Sequence, residues 1–600
     1  MSQRLKRNQV PLEMTWDLSA LYDNQDAWRQ HLEDMHEDIK KVTLFKGRIH
    51  EGGQTLLEAI EAEEAFVIQL IRLGTYASLN QSVDGTNPKI QELSMAFGAA
   101  ATALGSQLSF LESEILALSD QAYKQAFEDA PGLEVYRGYL DHLYTGKAYQ
   151  LSAETEEVLS SLGELTGSPY RTYSISKAAD MTFDPILDKD GNQHENSFAL
   201  FEGKHEYSED PVLRANAYKS FNKTLKAYEN TYAAVYNTEV KKQVAMSKIR
   251  GYESVTDMLL RPQKVSQEMY HRQIDVIYET LAPHMQKFAS LLKQELGLET
   301  LHFYDLKAPI DTSYNPPATY EQAKDTVLDA LAIMGDEYLD IMKKAFDERW
   351  IDYADNVGKS TGAFCSSPYA AHPYILVSFQ NNMRDAFTLA HELGHAGHFF
   401  LANSHQRSFN TRPSTYMVEA PSTMNEMLLG RHLLKQTDDP KMKKWVILQF
   451  LGTYYHNFVT HLLEARYQRQ VYDYAEKGQP LTAKLLTSTM LDVQRGFWGD
   501  AVDIDEDAGM TWMRQPHYYM GLYPYTYSAG LTASTAVSNM IFDQGQPAVD
   551  RWMDMLKAGG TKKPLDLLNM AGLDMSTDGP LRDAIAYVGS LIDDLADLCQ

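Results

Sequence analysis

The chain has 600 residues, of which 44% are hydrophobic and 23% charged, a composition typical of folded proteins. This length exceeds what one hydrophobic core usually serves, so two or three packed subdomains are expected. The formal net charge is −26, with 55 Lys and Arg against 81 Asp and Glu, and such an acidic surface argues against nucleic acid and membrane partners because it repels their phosphates.

Helical periodicity dominates the sequence. Apolar residues recur three and four positions apart in five long runs, which predict helices at Asp26–Lys41, Thr55–Ser78, Ile90–Leu118, Asp210–Met246 and Gln267–Leu296. Two segments read as strands instead: residues 181–201 have β-type runs on either side of Asp190-Gly191, and residues 358–380 end in YILVSFQ. The predicted fold class is mainly α, with a β-hairpin and a small sheet.

A new helical pattern begins after the predicted hairpin, so we place a domain boundary near residue 200. Residues 1–200 are predicted to form an N-terminal helical domain with the hairpin near its end, and residues 201–600 a helical catalytic domain.

Cysteine usage and the N-terminus predict a soluble cytoplasmic protein. Only Cys365 and Cys599 are present, too few for a disulfide framework, and such usage suits a reducing compartment. The N-terminal residues are basic but no apolar stretch follows them, so no secretory signal is expected. The longest apolar stretch, 97–111, falls short of a membrane span.

The segment NNMRDAFTLAHELGHAGHFFLAN is predicted to form one helix, with Asn382 as N-cap and Asp385 in the first turn. His391 and His395 lie four residues apart on one face of this helix, so both imidazoles can reach one metal ion. Glu392 projects beside that ion, where it can take a proton from an activated water and pass it to a leaving amine. The alternative, a structural histidine pair, is disfavoured by the preceding strand and the apolar back face of the helix.

A catalytic zinc site needs a third protein ligand and an open position. The metzincin pattern requires glycine where this chain has His398 and a third histidine where it has Leu401, so the metzincin class is excluded. We interpret His398 as a buried residue or as one that supports the metal ligands. The segment VEAPSTMNEMLLG supplies Glu419 and Glu426, about two helical turns apart, with Pro421 expected to begin or kink the helix between them. Spacing alone does not decide which of the two glutamates is the third metal ligand.

HELGHAGH followed by VEAPSTMNE resembles the thimet oligopeptidase-like zinc metallopeptidases, most closely the oligoendopeptidase F branch. TWDLSALY near the N-terminus and GKSTGAFCSSP before the motif resemble the same branch, so the likeness covers most of the chain. The resemblance implies a helical, two-lobed, zincin-like fold with a deep central cleft and a small β-sheet beside the active-site helix. It also implies an endopeptidase that hydrolyses internal bonds of short, unfolded peptides with one Zn²⁺ per chain.

Carried onto this sequence, the resemblance implies that His391, His395 and Glu419 bind zinc and that Glu392 is the general base. Glu426 would then orient a ligand histidine. The remaining alternatives are a zinc carboxypeptidase or dipeptidase on a related scaffold and a peptide-binding protein without activity. The oligomeric state is not readable from the sequence.

The segment HYYMGLYPYTYSAGL contains His517, Tyr523, Tyr525 and Tyr527. Members of the family carry a histidine and several tyrosines here that hydrogen-bond the substrate and the oxyanion, and a phenol suits this role because it stays protonated at working pH. We assign His517, Tyr523 and Tyr527 as catalytic candidates, and spacing leaves open which tyrosine acts. The strand-like segments 358–364 and 374–380 precede the helix of the metal motif. The resemblance implies that an edge strand beside the metal pairs with the extended substrate, and Gly362 and Ala363 are small enough for a peptide backbone to approach closely.

Overall fold

The computed structural model describes residues 4–599 and consists mainly of helices, which confirms the predicted fold class. The helices, numbered in chain order, are α1 Gln25–Asp38, α2 Lys40–Thr43, α3 Gly53–Val83, α4 Pro88–Ala117, α5 Asp120–Asp129, α6 Arg137–Thr145, α7 Ala153–Ser161, α8 Gly163–Thr166, α9 Ser168–Ile175, α10 Phe198–Gly203, α11 Pro211–Arg250, α12 Val255–Leu260, α13 Gln267–Glu295, α14 Tyr320–Leu331, α15 Asp336–Asp347, α16 Met383–His405, α17 Ala420–Gln436, α18 Pro440–Tyr454, α19 His461–Glu476, α20 Ala483–Trp498, α21 Thr526–Gln544, α22 Gln546–Ala558, α23 Pro564–Met570 and α24 Gly579–Leu598. The strands are β1 Ile186–Leu187, β2 Gln193–His194, β3 Ile351–Asp352, β4 Phe364–Ser366 and β5 Tyr374–Leu376.

The five helical runs predicted from periodicity all form helices with nearby ends. The longest, α11, begins after Asp210, whose side chain accepts a hydrogen bond from the backbone N–H of Val212, and has Pro211 in its first turn. It ends at Gly251, whose φ of 77° is the left-handed conformation that glycine adopts without strain. The predicted hairpin is also confirmed: β1 and β2 pair in antiparallel fashion around a turn that contains Gly191 at φ 82°.

Two hydrophobic cores organise the described chain. The smaller core contains buried residues from Trp16 to Leu140, and the larger core contains buried residues from Tyr173 to Leu595. Strand β5 lies between them: Tyr374 and Leu376 belong to the smaller core and the intervening Ile375 to the larger one, as the alternation of side chains along a strand requires. The division into domains at residue 200 stays a prediction.

The sheet that precedes the metal helix has the strand order β3-β5-β4. Strand β3 runs parallel to β5, and β4 runs antiparallel to it with Cys365 opposite Ile375. Within the described sheet β4 is therefore an edge strand, and it packs against α16. No helix among residues 4–599 combines the length and the apolar character needed to cross a membrane.

A buried lysine holds the loop between β3 and β4. The Lys359 ammonium lies 2.8 Å from Asp352 Oδ1 and donates to the carbonyl oxygens of Ala354 and Val377, both at 2.7 Å. The side chains of Lys359 and Asp352 are both 0% exposed, and Arg7 forms a second ion pair with Asp352.

We expect Lys359→Met to destabilise the chain by about 3 to 5 kcal/mol, because it removes one of the two cations paired with the buried Asp352 carboxylate and the donor to three backbone carbonyl oxygens. The matched control is Arg4→Met, which breaks the exposed Arg4–Asp355 pair and should cost less than about 1 kcal/mol. Thermal unfolding of both variants measures the difference. Equal losses would show that the buried pair contributes no more than a surface one.

Candidate active site

Helix α16 carries the predicted metal motif and begins where the sequence indicates. The side chain of Asn382 accepts a hydrogen bond from the backbone N–H of Asp385 at 3.1 Å. The Asp385 carboxylate in turn accepts hydrogen bonds from the Asn382 side chain and from the backbone N–H of Gln380. Asn382 and Asp385 thus cap the first turn of the helix. The motif lies further along, in its buried middle turns.

The two motif histidines and Glu419 converge on one point. Glu419 Oε2 lies 3.4 Å from His391 Nε2 and 3.3 Å from His395 Nε2. Ligands about 2 Å from one tetrahedral ion are about 3.3 Å apart, so these three atoms have the spacing of a zinc site. Two imidazoles and a carboxylate are also a donor set that zinc prefers, and the residues therefore fit the predicted ion.

Glu419 reaches the histidines because it directly precedes α17. Pro421 lies in the first turn of that helix, as expected from its missing N–H, and Glu419 is the N-cap residue. The Ser422 hydroxyl donates to Glu419 Oε2 at 2.9 Å. Burial alone would raise the pKa of Glu419, but the contacts with His391 and His395 outweigh it and hold the pKa far below its usual range.

Glycines allow the helices around Glu419 to approach closely. A Cβ atom at Gly394, inside the motif, would lie 2.3 Å from the carbonyl oxygen of Pro421. A Cβ at Gly530 of α21 would lie 3.1 Å from Glu419 Cβ and from the backbone nitrogen of Ala420. The short side chains therefore permit α17 to pass between α16 and α21 with its first turn directed at the histidines.

Glu426 occupies a different position from Glu419. Its Oε1 lies 2.6 Å from His391 Nδ1, and its Oε2 accepts a hydrogen bond from the Thr453 hydroxyl at 3.4 Å. A carboxylate on Nδ1 holds the proton there and leaves the lone pair of Nε2 for a metal ion. This is the contact expected of a residue that orients a ligand histidine.

Glu392 and His398 have separate surroundings on the same helix. Glu392 is 6% exposed, and burial raises its pKa while the neighbouring His391 and His395 oppose the shift. A base with a raised pKa is better matched to proton transfer near neutral pH. His398 is fully buried, with neither ring nitrogen hydrogen-bonded within residues 4–599, and burial lowers its pKa to about 3. His398 is thus a neutral core residue.

The structure brings His517, Tyr523 and Tyr527 together. The His517 ring centroid lies 5.4 Å from that of Tyr523 and 5.7 Å from that of Tyr527, and the two phenol rings are perpendicular at 5.3 Å. Burial raises the pKa of both tyrosines, and the charge of Glu419 adds to the shift in each case. Both phenols are therefore protonated near neutral pH and can donate a hydrogen bond.

Tyr525 is directed elsewhere. Its hydroxyl donates to Gln263 Oε1 at 2.5 Å, and its ring packs edge-on against Tyr270 at 4.9 Å. Tyr525 directly precedes α21, which begins at Thr526, and its phenol is directed at Gln263 and Tyr270.

Sequence reasoning missed His456, whose ring lies 5.8 Å from that of Tyr527 and whose Nε2 lies 3.2 Å from His461 Nε2, and it also missed His461 and Glu464. His461 stacks on Tyr527 with ring centroids 4.0 Å apart, and its Nδ1 lies 2.8 Å from Glu464 Oε2. Both residues belong to α19, directly after a π-helical segment at residues 455–460. Such segments often occur at functional sites, but the local pattern H-x-x-E is common, and nothing in the sequence connects it with the distant His517.

Strand β4 lies beside the metal helix. Gly362, just before it, has φ 86°, a conformation that favours glycine. Burial raises the pKa of the Cys365 thiol to about 12, so this cysteine is protonated and packs as a small residue.

Comparison with known proteins places the chain in a family. Peptidase family M3 matches residues 204–587, and a second family domain, Oligopeptidase F, matches residues 114–183. The chain is 32% identical to oligopeptidase PepF of Bacillus subtilis, over 100% of this chain and 90% of that protein. It is 28% identical to the group B oligopeptidase PepB of Streptococcus agalactiae, over 95% and 94% of the two chains.

Solved structures agree. The chain superimposes on oligoendopeptidase F of Enterococcus faecium with a TM-score of 0.74 and 26% identity, over 96% of this chain and 99% of that one. A candidate peptidase from Chlamydophila abortus gives a TM-score of 0.91 at 26% identity, over 99% and 100% of the two chains. The chain therefore belongs to peptidase family M3 and is a metalloendopeptidase.

Proposed function

We propose that the chain is a zinc-dependent endopeptidase that hydrolyses internal bonds of short, unfolded peptides. The observation that carries the proposal is the convergence of His391, His395 and Glu419, with Glu392 on the same helix as both histidines. One Zn²⁺ per chain would be held by the two imidazole Nε2 atoms and the Glu419 carboxylate. Bound zinc supplies Lewis-acid chemistry that activates water and polarises the scissile carbonyl.

The side chains around this centre have distinct proposed roles. Glu392 accepts a proton from the attacking water and delivers it to the amine of the leaving peptide. His517 contacts the substrate, and a tyrosine hydroxyl donates a hydrogen bond to the oxyanion as negative charge develops on the carbonyl oxygen. The free edge of β4 is suited to bind an extended peptide through backbone hydrogen bonds, which an unfolded chain offers and a globular surface does not.

Tyr523 is the better candidate for the oxyanion donor. The Tyr527 ring is stacked on His461 with centroids 4.0 Å apart, which fixes its orientation, whereas the Tyr523 ring lies 5.3 to 5.4 Å from those of Tyr527 and His517. We expect Tyr523→Phe to lower kcat about 100-fold with little change in KM, because the lost hydrogen bond forms only in the transition state. Tyr525→Phe, the same change two positions away, is the control and should retain kcat. A normal kcat in Tyr523→Phe together with a large loss in Tyr527→Phe would reassign the role to Tyr527.

The proposed activity is tested with two mixed pools of short peptides, one blocked at both ends and one with free C-termini, incubated with and without chelator. Mass spectrometry of the products should show internal cleavage that stops when the metal is removed. Cleavage only of peptides with a free C-terminus would indicate a carboxypeptidase or dipeptidase. Absence of cleavage by the metal-loaded chain would instead indicate a peptide-binding protein without activity.

A cytoplasmic location is part of the same proposal. Both cysteines, Cys365 and Cys599, are unpaired, which suits a reducing compartment in which short peptides are the available substrates. The proposed catalytic domain, residues 201–600, contains all of the site residues named above, and residues 1–200 would contribute the opposite wall of a central cleft.

A further inference from the structure

A second group of metal-ligating side chains lies beside the proposed active site. Within residues 4–599, two sets of three such residues have ligand atoms within 4.8 Å of one another. One is His391, His395 and Glu419, and the other is formed by His461, Glu464 and His517. The second set has two imidazoles and one carboxylate, the same donor chemistry as the first.

The second set is pre-assembled and largely shielded from water. His461 Nδ1 lies 2.8 Å from Glu464 Oε2, and the two side chains are 2% and 8% exposed. His517 Nδ1 is buried and has no hydrogen-bond partner within the described chain. A buried imidazole nitrogen without a partner is uncommon, and a coordinated cation would satisfy it.

Rigid elements hold the three residues. His461 and Glu464 are one turn apart on α19, directly after the π-helical segment, so both face the same way. Gln468, one turn further along α19, donates to the carbonyl oxygen of Gly521 at 2.9 Å and so ties the helix to the loop that follows His517. Because these elements already hold the three side chains close together, the side chains need to rearrange little when an ion binds.

Of the nearby positive charges, Lys307 and Arg514 are paired with carboxylates, and Lys177 donates to the carbonyl oxygen of Arg514 at 2.8 Å. Lys307 Nζ lies 2.8 Å from Glu206 Oε2, and Arg514 lies 2.9 Å from Glu206 Oε1 and from Glu202 Oε1. Their repulsion of a cation at Glu464 is therefore reduced.

We propose that His461, Glu464 and His517 bind a second divalent transition-metal ion of the Zn²⁺ type, and that its binding inhibits peptide hydrolysis. The inhibition, which rests on the proposed function, follows because a coordinated His517 is withdrawn from the substrate. Histidine and carboxylate ligands favour Zn²⁺ and Co²⁺ over Mg²⁺ and Ca²⁺, so the latter pair should not inhibit.

Metal stoichiometry tests the site without reference to activity. Metal-free chain is dialysed against buffered Zn²⁺, and bound zinc is measured by elemental analysis. The wild type should bind about two ions per chain and His461→Phe about one, because phenylalanine keeps the stacking on Tyr527 but removes a ligand. Glu419→Ala should also bind about one. The control His36→Phe, at an exposed position of α1, should still bind about two.

Co²⁺ absorption and the variant Glu464→Gln complete the test. The second equivalent of Co²⁺ should add visible d–d absorption in the wild type but not in His461→Phe or Glu464→Gln. A wild type that binds one ion, or variants that both still bind two, would overturn the proposal. In assays at rising Zn²⁺, inhibition beyond the first equivalent should disappear in His461→Phe. If the chain cleaves no peptide, the proposed function fails while the stoichiometry still decides the site.

Discussion

Glu392→Gln is expected to retain its metal and to lower kcat by about 100- to 10,000-fold. Glutamine has nearly the same size and shape, so Glu419 Oε2 stays 3.3 to 3.4 Å from the Nε2 atoms of His391 and His395. The amide cannot accept a proton from the attacking water or deliver one to the leaving amine, and this transfer contributes about 100- to 10,000-fold in comparable enzymes.

Three measurements on this variant separate the possible outcomes. Elemental analysis after dialysis checks the metal content, steady-state kinetics gives kcat, and thermal unfolding checks the fold. Glu321→Gln, at an exposed position of α14, is the matched control and should behave as wild type. Full turnover in Glu392→Gln would exclude Glu392 as the base. Loss of activity together with the metal would instead indicate that Glu392 supports metal binding.

Glu419→Ala is expected to abolish metal retention at the site formed with His391 and His395, and with it activity. Glu419 supplies the only carboxylate that the structure places on the Nε2 atoms of both motif histidines among residues 4–599. Its removal leaves two protein ligands, fewer than the three that catalytic zinc sites use. Competition with a graded series of chelators gives the apparent zinc affinity.

Glu426→Gln is the matched comparison, because spacing along the sequence did not decide whether Glu419 or Glu426 is the metal ligand. Because Glu426 contacts Nδ1 of His391 and not Nε2, its substitution should weaken metal binding by only about 10- to 100-fold. Glu419→Ala should exceed that loss by a wide margin. The reverse order of effects would make Glu426 the ligand and Glu419 the supporting residue.

Local patterns were sufficient for the elements that local interactions determine. The positions of α11 and α13 follow from apolar spacing together with caps at Asp210 and Ser266. The metal helix was predictable for the same reason, since a four-residue interval puts His391 and His395 on one face of any helix.

Packing decided the features that depend on approach between distant segments. Gly394 shows the difference: the sequence places it between the histidines, but only the structure shows that its missing side chain admits the first turn of α17. Tyr525 is a second example. The spacing of the tyrosines did not reveal that α21 begins one residue after Tyr525 or that the Tyr525 hydroxyl donates to Gln263.

The sequence by itself determined the fold class, the metal helix and, through family resemblance, the set of residues expected around it. The tertiary structure decided that Glu419 and Glu426 meet opposite nitrogens of His391 and that His461 and Glu464 lie against His517 and Tyr527. The physical reason is the separation along the chain over which each kind of interaction acts. Helical periodicity acts over a few residues, whereas the convergence of α16, α17, α19 and α21 depends on how their surfaces pack, which spacing along the chain does not encode.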